Sequence, residues 1–118
     1  MANKDNIKTE SKNNIEALLH LLEKRPVKSS ELLDIIDVLS QVYSKIDIAK
    51  NPEALINRLV QYIRSVGIKG RLHFPKNEER LIIDLGSIGQ KAGLNGLYMA
   101  DFSDKSQFYT MSEHIPKH

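Results

Sequence analysis

Ser29-Ser-Glu-Leu-Leu-Asp-Ile-Ile-Asp-Val-Leu-Ser-Gln-Val-Tyr-Ser-Lys-Ile46 is the stretch whose reading decides the fold. Its apolar positions Leu32, Ile35, Ile36, Leu39, Tyr43 and Ile46 recur at helical spacing and form one stripe, the clearest amphipathic pattern in the chain. Ser29 or Ser30 stands where it can cap the first turn. Outward toward the N-terminus, Ile15, Leu18, Leu19 and Leu22 repeat at the same spacing and stop before Pro26, which predicts a first helix with a frayed polar entry from Met1 to about Asn6. Outward toward the C-terminus, Asn51-Pro52-Glu53 reads as a helix start. Asn caps it, Pro takes the first position where its missing N–H costs nothing, and Glu faces the positive helix end. Leu55, Leu59, Ile63 and Val66 follow, and Gly67 and Gly70 end that helix.

A short turn from Arg71 to Phe74 leads to Pro75, from which a fourth helix runs past Leu81, Leu85, Ile88 and Ala92 to a stop near Gly93 to Gly96. Only Ile68 to Phe74 hints at a strand, and it is too short and basic to seed a sheet. Four helices on short links predict an all-α, antiparallel four-helix bundle over about residues 7–96. The remainder, about 97–118, is expected to be an irregular tail packed in part on the bundle, within a single domain.

The fourth helix places Gly86, Gly89, Gly93 and Gly96 at steps of three, four and three, in one strip beside its apolar stripe. Each interior glycine costs about 1 kcal/mol against alanine, so something should approach that backbone closely, either a neighbouring helix or the chain's own tail.

With 118 residues and 41% hydrophobic content, the chain suits one core. Its net charge of +2 is too mild to mark a nucleic-acid binder. The charge is unevenly spread, from net −3 over residues 31–57 to net +4 over 58–80. There is no cysteine, which excludes disulfides and thiolate metal sites. The first thirty residues hold no apolar run of the kind a secretory signal or membrane span needs, so a cytoplasmic protein is expected.

No catalytic constellation emerges. Asp34 and Asp37 sit one turn apart, as paired carboxylates would, but on the polar side of their helix, which reads as solvated surface. Asp101, Ser103 and Asp104 have no histidine nearby in sequence to activate the serine. His20, His73, His114 and His118 are scattered, and His20 beside the first apolar stripe reads as a hydrogen-bonded boundary residue. Neither an enzyme, a cofactor, a metal site nor a small-molecule substrate is expected.

Two segments remain as interaction surfaces. Arg58, Arg64, Lys69, Arg71, Lys76 and Arg80 form a basic segment suited to an acidic protein surface or to anionic lipid, with peripheral insertion of the third helix as a further option. Use of that segment, 58–80, on phosphates would make the chain a small helical nucleic-acid-binding regulator, although no aromatics are interleaved for stacking. The tail carries Tyr98, Met99, Phe102, Phe108 and Tyr109, large apolar groups with no period to bury them, beside Asp101, Asp104 and Lys105. Such a mixture packs back on the bundle, faces a partner, or does both.

Leu55-Ile-Asn-Arg-Leu-Val-Gln-Tyr-Ile-Arg64, Gly86-Ser-Ile-Gly-Gln-Lys-Ala92 and Gly93-Leu-Asn-Gly-Leu-Tyr-Met-Ala-Asp-Phe-Ser-Asp-Lys-Ser-Gln-Phe108 closely resemble the enterocin A, leucocin A and mesentericin branch of the immunity proteins for pediocin-like bacteriocins. The resemblance runs from about Asn51 to Tyr109, while the N-terminal half shares only the pattern. It implies a small cytosolic four-helix bundle that protects a producer cell without degrading the peptide. The implied partner is the membrane-embedded mannose phosphotransferase permease with bound bacteriocin, engaged from the cytosolic side so that leakage is prevented, with transient contact at the inner face of the membrane.

The resemblance assigns specificity to the C-terminal half, which singles out Tyr98, Met99, Asp101, Phe102, Asp104, Lys105 and Phe108 for recognition, with Arg64, Lys69 and Arg71 as electrostatic support. The last stretch, Thr110-Met-Ser-Glu-His-Ile-Pro-Lys-His118, departs from the family's pattern, and its end is expected to be disordered.

Overall fold

Two of the helices, the second and the third, start where the sequence supplies a side-chain cap. The computed structural model describes residues 4–92 and 102–118, and gives α1 at Lys4–Glu23, α2 at Ser30–Lys45, α3 at Pro52–Lys69 and α4 at Lys76–Gln90. Short 3-10 turns lie at Ile46–Ile48 and Lys105–Phe108, and there is no strand among the described residues. Ser29 is the residue that caps α2, its Oγ accepting from the Leu32 N–H at 3.2 Å. Asn51 caps α3 through Oδ1 and the Ala54 N–H at 3.1 Å, with Pro52 in the first helical position as anticipated.

Three boundaries differ from the expectation. α1 begins at Lys4 rather than after a frayed entry, because Ile7 adds one more turn to the apolar face and is buried. α3 runs through Gly67, whose bare Cα accepts the Phe74 ring: a Cβ there would stand 3.1 Å from Phe74 Cε2. α4 ends at Gln90, and Lys91 and Ala92 form a turn, so the expected stop at Gly93 to Gly96 lies outside the described residues.

The end of α3 is a Schellman motif. The Leu72 N–H donates to Gly67 O at 2.8 Å and the Arg71 N–H to Ile68 O at 3.1 Å, so the left-handed position falls on Arg71, at φ 52°. Gly70 stands one residue too early to take it, and is needed where it is. A Cβ on Gly70 would lie 2.6 Å from the Glu31 Cβ.

The helices form a ring in chain order, each packed on the one before it, with α4 closing on α1 and a lighter α1–α3 contact across the diagonal. Burying four stripes together makes one core, from Ile15, Leu18 and Leu22 through Leu32, Ile35, Leu39 and Ile46 to Ile56, Leu59, Ile63, Ile82 and Leu85, all within 1% of full burial. Val38 and Val42 also lie inside, whereas Ile36 and Tyr43 are only partly covered. The α3–α4 seam is tightest at Gly89, where a Cβ would meet the Asn57 Cα at 2.8 Å. The close approach expected of the glycine strip is therefore made by a neighbouring helix. At Gly86 an added Cβ would meet Val60 Cγ1 at an ordinary 3.9 Å, so of the two described glycines of the strip Gly89 enforces it, while Gly93 and Gly96 lie outside the described residues.

Candidate functional site

Residues 102–118 lie along α2, with Phe108 as their buried apolar anchor. Its ring is 4% exposed and meets the buried Tyr62 of α3 edge-on, with centroids 5.4 Å apart. Gln41 of α2 donates through Nε2 to the Phe108 carbonyl at 3.0 Å. Asp104 shapes the turn beneath, its Oδ1 accepting from the Ser106 N–H at 2.9 Å. Gln107 Nε2 closes the turn on the carbonyls of Phe102 at 3.1 Å and Asp104 at 2.8 Å.

Lys105 is the electrostatic centre of this arrangement. Its ammonium donates to Asp34 Oδ1 at 2.9 Å, Asp37 Oδ2 at 3.1 Å and the Pro116 carbonyl at 2.5 Å. Burial alone would lower the Lys105 pKa, but the two carboxylates outweigh it together and hold the ammonium above its ordinary value. Asp34 and Asp37 are therefore not a solvated face. They are the seat of the tail, and Asp37 also meets the His118 ring. Asp34, Asp37 and His118 bring three metal-capable atoms within 4.8 Å of one another, but Lys105 already bonds both carboxylates there.

The last stretch is anchored rather than disordered. Glu113 accepts from Lys45, from Gln41 at 3.1 Å and from the Thr110 N–H at 2.7 Å. The Lys45 ammonium first, then the Thr110 and Gln41 donors, pull the Glu113 carboxyl down to about 2. Beside it, Lys45, Ile48, Ala49, Leu55, Thr110 and Glu113 line an open depression of about 500 Å3.

Of the residues expected to recognise a partner, Phe102 is half-buried, Asp104 is exposed, Lys105 and Phe108 face inward as anchors, and Tyr98, Met99 and Asp101 lie outside the described residues. The supporting cations are elsewhere. Arg64 holds Glu79 in a two-bond fork at 2.8 and 2.6 Å, which raises the guanidinium pKa and lowers the carboxyl's. Arg64 and Arg71 share a depression of about 320 Å3 with Gly67, Ile68 and Phe74, and Lys69 is exposed at the end of α3. The tail's described bonds run to α2 while these cations ring the α3–α4 turn, so the two groups form separate surfaces. His20 is exposed, not the hydrogen-bonded boundary residue its sequence position suggested.

Asp34, Asp37, Gln41 and Glu113 are the residues that sequence reasoning missed. Their only signal was the one-turn spacing of two carboxylates far upstream of a tail lysine, which carries no information about distance in space.

The fold and its sewn-down tail define a small all-helical protein whose C-terminal residues are part of the folded body. The Bacteriocin immunity protein family matches residues 9–90, and the chain belongs to that family. It is 66% identical over 80 residues, 68% of this chain and 71% of the relative, to the probable leucocin-A immunity protein of Leuconostoc gelidum. It is 56% identical over 102 residues, 86% of this chain and 89% of the relative, to the probable mesentericin-Y105 immunity protein of Leuconostoc mesenteroides. The kinship therefore reaches into the N-terminal half, beyond the Asn51 to Tyr109 stretch. No solved structure matches the chain at a significant level.

Proposed function

We propose that this chain protects a producer cell from a pediocin-like bacteriocin by engaging the bacteriocin-bound mannose phosphotransferase permease from the cytosolic side and preventing leakage through it. The observation that carries this reading is the 56% identity to the probable mesentericin-Y105 immunity protein over 86% of the chain. No helix among the described residues is long and apolar enough to cross a membrane, which fits a protein that meets its target from one side. The action is binding rather than catalysis. The carboxylates nearest to a catalytic pair, Asp34 and Asp37, are engaged by Lys105.

Recognition runs through Tyr98, Met99, Asp101, Phe102 and Asp104. Lys105 and Phe108 hold that segment's C-terminal end on α2 and α3, and Arg64, Lys69 and Arg71 add electrostatic support from the α3–α4 turn. Anchoring one end of a recognition segment lowers the ordering cost of binding, which is why buried residues belong to the same functional unit as exposed ones.

Survival of a sensitive host producing this chain, challenged with a panel of pediocin-like peptides, tests the proposal. Protection against a subset is expected. Tyr98→Ala and Met99→Ala should erode it about tenfold or more in tolerated peptide concentration, while helicity and melting temperature stay unchanged. Full sensitivity to every peptide despite folded, abundant protein would remove the reading.

A further inference from the structure

The α1–α2 and α3–α4 links lie at the same end of the bundle. Arg25 of the first link donates to the His73 carbonyl of the second at 2.7 Å and pairs with Glu78, and its guanidinium stands 5.8 Å from the Phe74 ring. Glu31 packs on Gly70. On the surface so formed, Lys24, Lys69, Arg71 and Lys76 are exposed, with no acidic partner among the described residues. The same end carries two aliphatic side chains that the core does not use, Val27 in the first link at 81% exposure and Ile68 in the last turn of α3 at 80%. Two of the nearby carboxylates are already paired, Glu78 with Arg25 and Glu79 with Arg64, which leaves Glu31, its stem packed on Gly70, and Glu23 at the rim against the four cations.

A second observation comes from the backbone. Arg71 is the described non-glycine residue with positive φ, at 52°, in the cap position where glycine is favoured. Holding an L-residue there is a strain that glycine would relieve. The fold gains nothing from an arginine at that place, and the side chain is exposed at the tip of the turn.

We propose that this end of the bundle docks on a bilayer bearing anionic phospholipid, with Lys24, Lys69, Arg71 and Lys76 among the headgroup phosphates and Val27 and Ile68 seated below them. Cations flanking isolated, fully exposed aliphatics are the makings of an interfacial site, where charge attracts and apolar surface inserts. A nucleic-acid duplex would use the cations but has no place for the aliphatics, and the large aromatic here, Phe74, is not free for base stacking because it lies against Gly67 and Arg25. The docking needs neither bacteriocin nor permease, so it stands or falls separately from the immunity reading.

Co-sedimentation of the full chain with vesicles tests it, comparing phosphatidylcholine alone with phosphatidylcholine containing phosphatidylglycerol, at low and physiological salt. Binding is expected only with phosphatidylglycerol and should weaken as salt rises. Arg71→Gly should weaken it about fivefold, the factor corresponding to one cation at an anionic surface, while raising the melting temperature. Ile68→Ser should weaken it at constant charge. Lys8→Gln, beside the opposite end of the bundle where Lys8 Nζ meets the Asp47 carbonyl at 2.7 Å, should leave it unchanged. The proposal is overturned by absent binding to anionic vesicles at low salt, by equal loss in Lys8→Gln and Arg71→Gly, or by binding that Ile68→Ser leaves intact. Tighter binding to a short DNA duplex than to anionic vesicles at the same salt would overturn it in favour of a phosphate-backbone surface.

Discussion

Gly86 and Gly89 are the same residue type three positions apart on one helix, and they should respond in opposite directions to the same substitution. Gly86→Ala adds a methyl group in ordinary contact with Val60 and removes a helix-propensity deficit, so it should stabilise the protein by about 1 kcal/mol. Gly89→Ala drives a methyl group to 2.8 Å from the Asn57 Cα, which is backbone and cannot turn aside. The seam must open, and the net effect should be a loss of about 1 to 2 kcal/mol after the propensity gain. Urea denaturation of the two variants checks the pair, and equal shifts would mean that the α3–α4 seam is looser than the geometry states. The glycine strip was legible in the sequence as a close approach. Which glycine carries it was not, because that depends on the offset between two helices and not on spacing within one.

Among the elements, the tail adds several ion pairs to its one buried ring, and those charges make it sensitive to acid. The Glu113 carboxyl is depressed to about 2 in the folded chain against an ordinary value of about 4.5, so the folded tail favours its ionised form. A depressed carboxyl contributes stability that is complete above the ordinary pKa and is lost as pH falls through the folded one. Loosening of residues 109–113 is therefore expected between pH ~4.5 and ~2. Glu113→Gln should remove that dependence. Hydrogen exchange at the Thr110 amide, which Glu113 accepts at 2.7 Å, reports it directly. The raised Lys105 pKa works at the other extreme, its contribution fading only as pH climbs past the usual lysine range. The four helices were legible from caps and periodicity, since Ser29 and Asn51 act within three residues of themselves. The seat of the tail was not, because Lys105 and Asp34 are 71 residues apart and nothing local marks them as partners. For the same reason, Asp34 and Asp37 looked like solvent-facing charges.

At the level of the whole molecule, an ion pair ties the α1–α2 link to α4 at the basic end. Glu78 is 5% exposed in the first turn of α4, and Arg25 reaches it from the α1–α2 link. Arg25→Ala would leave that carboxylate buried without its counter-ion and should cost about 3 kcal/mol or more. The double variant Arg25→Met with Glu78→Leu should recover most of the loss. Denaturant midpoints of the single and double variants decide it, and additive losses would show that the pair does not act as a unit.

The distance along the chain between the tail and its seat also sets an order of events. Asp34 and Asp37 are made 71 and 68 residues before Lys105. At about 5–20 residues per second a ribosome takes several seconds to cover that interval. For those seconds the emerging helices carry two like charges side by side and, once Tyr62 is made, its uncovered flank, with neither the ammonium nor the Phe108 ring yet synthesised. Residues 102–108 begin to close that gap, and until they arrive the nascent chain is open to capture there by a chaperone or a protease.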